Sequence, residues 1–88
     1  MQHINIKVFG QVQGVIFRAS AKEVADKLNI QGFARNEAYG IVYIEAEGEE
    51  DHLKQFLAWC KKGPQFAQVT SVKITPAELK NFIDFQIQ

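Results

Sequence analysis

The sequence predicts an α+β sandwich: one mostly antiparallel sheet with two helices on one face. Three observations predict it. Segments with apolar residues at every second position alternate with segments whose apolar residues recur at helical spacing, in the order β-α-β-β-α-β plus a short C-terminal strand. The 88 residues suffice for one domain and not two, so 1–88 is expected to be a single unit. Hydrophobic residues make up 47% of the chain and include seven Phe. A chain of this size can then bury roughly 60–70% of its unfolded surface without disulfides or metals.

Residues 3–9 alternate with period two, which puts Ile4, Ile6 and Val8 on one face of a first strand. After a loop, Phe17, Ala21, Val24, Ala25 and Leu28 fall on one side of a helix, with Lys22, Glu23, Asp26 and Lys27 mostly opposite. That helix is expected to end near Asn29, with Gly32 just beyond it. Phe33 to Asn36 reads as a short strand and Glu37-Ala38-Tyr39-Gly40 as a hairpin turn. Residues 41–47 make a third strand with Val42, Ile44 and Ala46 inward. Glu49, Glu50 and Asp51 suit the positive end of a second helix dipole, and Lys61 and Lys62 the negative end. Between them Leu53, Phe56, Leu57 and Cys60 form a core stripe, with Trp59 at its edge, and Gly63-Pro64 stops the helix. A strand follows over 68–75, and Phe82 to Ile87 can form the last one.

This order is that of a ferredoxin-like sandwich. In that arrangement the third strand inserts between the first two, which stay parallel and end at the same edge, about 10 Å apart. The loop after strand one and Asn36 at the end of strand two should therefore share a rim.

Ten basic residues balance ten acidic ones, which argues against a duplex nucleic-acid partner. Tyr43 shares its strand face with Glu45 and Glu47, so an RNA-stacking surface is not expected there either. One cysteine and two histidines make no zinc pattern. Cys60 reads as a small core residue, His3 as a strand end and His52 as a solvated helix position. No signal sequence or long apolar run occurs, so the expectation is a soluble cytoplasmic protein without a membrane partner.

The stretch Gly10 to Arg18 carries the chemistry. It runs from a strand into a helix amino end, where several N–H groups lack helical partners. If the amides of Gln11, Val12, Gln13, Gly14 and Val15 curl inward, they form a nest for an anion, aided by the helix dipole. Gly10 would let the chain leave the strand sharply, and Gly14 tolerates positive φ. Arg18 could reach back with a fork that matches two phosphate oxygens. By itself the stretch reads more readily as a plain turn followed by a solvated charge. It lacks the Gly-Lys-Ser/Thr of a nucleotide loop and the Gly-x-Gly of a dinucleotide fingerprint.

Gly10 to Arg18 resembles the acylphosphatase signature G-x-V-Q-G-V-x-F-R at every fixed position. Gly32-Phe33-Ala34-Arg35-Asn36 followed by Gly40-Ile41-Val42 is similar to that family's G-[WF]-x-x-N-x-x-x-G-x-V segment. The resemblance covers essentially the whole chain. It implies a ferredoxin-like fold and hydrolysis of small acyl phosphates to carboxylate and phosphate, with no metal and no cofactor. It also implies that Arg18 and the amides of residues 11–15 hold the phosphate while Asn36 positions the attacking water. Inorganic phosphate is then both product and competing ligand, and the protein is expected to act as a monomer. Glu37, next to Asn36, is expected to face solvent. The alternatives are a non-catalytic anion-binding module and a carbamoyl-phosphate-handling domain like the opening part of a hydrogenase-maturation carbamoyltransferase. The absence of a further domain in the sequence favours a free-standing enzyme.

Overall fold

Five strands form one mixed sheet, described with the rest of residues 1–88 by a computed structural model. In chain order the elements are β1 (Gln2–Gln11), α1 (Phe17–Lys27), β2 (Gln31–Asn36), a 3₁₀ turn (Ala38–Gly40), β3 (Val42–Gly48), α2 (Glu50–Lys62), β4 (Gln68–Ala77) and β5 (Phe85–Ile87). Across the sheet they run β4-β1-β3-β2-β5. Strand β3 is antiparallel to both β1 and β2, so those two point the same way and end at one edge, as the ferredoxin-like reading requires. Strand β5 adds to β2 in parallel.

Alternation decides what is buried. Ile4, Ile6 and Val8 of β1 and Val42, Ile44 and Ala46 of β3 pack against Phe17, Ala21 and Ala25 of α1 and Leu53, Phe56 and Cys60 of α2. Each large apolar side chain so buried contributes about 1.5–3 kcal/mol. Trp59 lies at the edge of the α2 stripe, with its ring 5.1 Å from that of Phe17. Burial pushes the Cys60 thiol far up, so it is an inert core group. No helix is long and apolar enough to cross a membrane.

Four local expectations change. Helix α1 closes at Asn29, as expected, in a left-handed conformation (φ 55°), with Ile30 N–H donating to Ala25 O at 2.8 Å. But β2 begins at Gln31 rather than Phe33, so Gly32 lies inside it, where an added Cβ would stand 1.8 Å from the main-chain oxygen of Glu45. Gly10 is likewise still in the sheet, at a register shift in β1, and Gln11 pairs with Gln68. The last strand starts at Phe85 rather than Phe82. The amides of Lys80, Asn81 and Phe82 are spent on the carboxylate of Glu47 and not on a ladder.

The fourth change is His3. It is no frayed strand end but 2% exposed, on the sheet face away from the helices. Register explains why: His3 stands opposite Glu47, and Asn5 opposite Glu45. His3 Nδ1 is 2.8 Å from Glu47 and Nε2 is 2.9 Å from Glu45. Carboxylates only accept, so this network is complete when the ring donates from both nitrogens. The Phe82 ring stacks over the imidazole with centroids 5.8 Å apart, so the 80–82 segment forms a strap across the cluster. Burial alone would raise the carboxyls. The hydrogen bonds from Lys80, His3 and Phe82 to Glu47, and from Lys80 and Tyr43 to Glu45, outweigh it and hold both carboxyls below the usual range. Burial first, and then the bond to Glu45, pushes the Tyr43 phenol up to about 12.

Candidate active site

Val12 is fully buried and pins the start of the loop to the core. The chain then turns through Gly14 (φ 75°) and Ile16 (φ 63°), both left-handed, before α1 begins at Phe17. No side chain caps this helix end, and no acidic residue sits in its first turn. The amides from Gln13 to Ala19 donate to no backbone carbonyl; the first helical donor here is Ser20, to Ile16 at 3.1 Å. Unpaired donors at a positive dipole end, without an opposing acid, make an environment suited to an anion.

Arg18 extends from the first turn of α1. Its Nη1 donates to the main-chain oxygen of Gln88 at 2.6 Å. Gln88 is itself held by its N–H bond to Ala34 O at 2.8 Å, so β5 delivers an anchor for the guanidinium. The remaining guanidinium nitrogens keep their donors for a ligand. Asn36 ends β2, two residues after the buried Ala34 and so on the same, helix-facing side. Arg18 and Asn36 line one cavity of about 250 Å³, together with Val12, Gly14, Phe17 and Ile87. The shared rim expected from the strand order is present.

The Gln13 side chain has a role that sequence reasoning missed. Its Nε2 donates to Glu37 O at 2.8 Å and to Ile41 O at 2.9 Å. One carboxamide thus ties the loop to both sides of the β2–β3 turn, directly beside Asn36. A glutamine in a loop gives no periodic signal, so only the folded proximity of residues 13, 37 and 41 shows this. Glu37 stays out of the cavity, as expected, but it is only half-exposed and is ion-paired with Arg35 at 3.0 Å. The pairing still keeps the carboxylate occupied away from the cavity, since neither residue lines it. Gln11 belongs to β1, while Val12 to Val15 form the turn proper.

The acylphosphatase family model matches residues 4–87. The chain belongs to the acylphosphatase family. An acylphosphatase of Ligilactobacillus salivarius is 43% identical over 89 residues, covering 99% of this chain and 98% of the relative. One from Archaeoglobus fulgidus is 43% identical over 84 residues, covering 96% and 94%. Among solved structures, the Bacillus subtilis acylphosphatase superposes with a TM-score of 0.97 at 37% identity, over 100% of this chain and 99% of that one. Full-length HypF, in a phosphate- and nucleotide-bound form, matches with a TM-score of 0.92 at 35% identity, but only 12% of that chain is covered. This acylphosphatase-family chain thus resembles small relatives along their whole length and a minor part of the larger one.

Proposed function

We propose that this protein hydrolyses the carboxyl–phosphate bond of acyl phosphates, releasing a carboxylate and inorganic phosphate. The phosphoryl group is held by the amides of the Gln11–Val15 stretch, chiefly those of the turn, and by Arg18. Asn36 orients a water for in-line attack. The water oxygen forms the new bond to phosphorus, the bond from phosphorus to the acyl oxygen breaks, and the carboxylate leaves with the electron pair. The carboxylate is a good leaving group, so the main tasks are positioning and charge neutralisation. Asn36 offers a donor and an acceptor without placing a second negative charge beside the dianion. No histidine or carboxylate lines the cavity, so a phosphoryl oxygen takes the water's proton.

The observation that carries this reading is that Arg18, Asn36 and the turn at Gly14 line a single cavity, in a chain of the acylphosphatase family. Phosphate release from acetyl phosphate and benzoyl phosphate tests it, with inorganic phosphate as competitor. No turnover above the spontaneous rate would leave a non-catalytic anion-binding module. The same reading takes the protein as a cytoplasmic monomer that binds no nucleic acid. Light scattering checks the first point, and a shift assay with single-stranded RNA checks the last.

A further inference from the structure

Ile16 combines two costs with no visible return inside the fold. It is a β-branched residue held at φ 63°, ψ 27°, a conformation that glycine and asparagine adopt with far less strain. It is also 72% exposed, so burial does not offset that strain. It makes no capping hydrogen bond for the helix it precedes. Ile16 does line the active-site cavity, as does Ile87, 45% exposed at the end of β5. Exposed Ala19 continues the same wall.

Arg18 is the only charged residue lining this cavity. In the acyl-phosphate reading, on which this argument rests, the guanidinium and the turn amides take the phosphoryl group. The acyl group must then leave along the remaining wall, which is apolar. A carboxylate on the acyl group would meet aliphatic surface with no cation to pair with, and would lose its hydration there. An uncharged aromatic or branched acyl group would cover Ile16 and Ile87 and gain contact with both.

We infer that Ile16 and Ile87 form an apolar lip that selects acyl phosphates with uncharged, aromatic or branched-aliphatic acyl groups over short or acidic ones. The turn into α1 sets the left-handed backbone at position 16, and a strained β-branched residue is retained there because its side chain binds substrate.

The test compares kcat/KM for benzoyl, acetyl and succinyl phosphate in the parent protein, Ile16→Asn and Ile16→Leu, with inorganic phosphate as competitor. In the parent, benzoyl phosphate is the best substrate and succinyl phosphate the worst. Ile16→Asn lowers the benzoyl-to-acetyl ratio by about tenfold. It leaves phosphate competition unchanged and does not lower the melting temperature, because asparagine suits the left-handed backbone. Ile16→Leu keeps the parent's preference. An unchanged ratio in Ile16→Asn, an equal loss in Ile16→Leu, or a parent that prefers succinyl phosphate would overturn the lip. A parent that turns over none of the three would instead overturn the acyl-phosphate reading itself.

Discussion

Arg18 and Gln88 lie 70 residues apart in the chain, yet the guanidinium donates to the Gln88 main-chain oxygen at 2.6 Å. One arm of the fork is thereby fixed before any ligand arrives, in a residue that lines the cavity. Preorganisation of this kind lowers the entropy lost when an anion binds. Arg18→Ala should therefore abolish both phosphate binding and turnover. Arg18→Lys keeps the charge, but a single ammonium nitrogen lacks the planar fork that lets one guanidinium nitrogen hold Gln88 while the others meet the phosphate. It should lose roughly 10²–10³ in kcat/KM. Phosphate affinity by calorimetry and steady-state kinetics read both effects, and intact phosphate binding in the alanine variant would remove Arg18 from the site.

Asn36 faces the same cavity but is assigned to the water and not to the phosphate. Asn36→Ala should lower kcat by about 10²-fold, the scale of one lost transition-state contact, while the inhibition constant of inorganic phosphate stays nearly constant. A matching loss of phosphate affinity would move Asn36 into the anion cradle instead.

Gln13 holds the rim together by donating to Glu37 O and Ile41 O. Gln13→Ala leaves two carbonyls without that donor and should cost about 1–2 kcal/mol in urea unfolding. Because the loosened turn adjoins Asn36, kcat should fall more than phosphate affinity. A stable variant with unaltered kcat would show that the tie supports the fold alone.

The buried carboxylates make stability pH-dependent. Glu45 and Glu47 are held below their ordinary range when folded, so the unfolded chain binds more protons in acid. Their contribution is fully present above the unfolded-state value of about 4.5 and is lost as pH falls through the folded-state values. Urea midpoints measured from pH 7 down to pH 3 should drop with acid. Glu47→Gln should flatten that slope and lower stability at pH 7 by roughly 3–5 kcal/mol, because His3 and the strap amides lose their charged acceptor. An unchanged slope would assign the acid sensitivity elsewhere.

Gly32→Ala would force a Cβ to within 1.8 Å of the Glu45 main-chain oxygen, at a φ of +145° that side chains avoid. β2 cannot move aside, since β3 and β5 pair with it on both edges. Thermal unfolding should show severe destabilisation. Gly14→Ala, with open space around the added atom and φ +75°, should cost only about 1 kcal/mol.

Much of this molecule could be read in one dimension. The alternation at Ile4, Ile6 and Val8 and at Val42, Ile44 and Ala46 repeats every two residues, and the α1 and α2 stripes repeat every three or four. Such periods survive in a sequence because each reports a single buried face. The element order then restricted the topology enough to bring the 10–18 stretch and Asn36 to one rim. Misplaced features were those without a period. His3 looked like a strand end because burial of an ionisable group depends on partners 42 and 44 positions away. The start of β5 was overestimated because Phe82 and Ile83 are apolar enough for a strand. The Glu47 carboxylate had already taken the 80–82 amides.

By itself the sequence determined the elements, their order and the residue types able to bind an anion, since local spacing carries all three. The tertiary structure alone decided the tie from Gln13 to two carbonyls, the anchoring of Arg18 by Gln88 and the exposure of a strained Ile16 at the cavity mouth. These depend on strand register and on distances between remote segments, which the three-dimensional path of the backbone sets and no local pattern encodes.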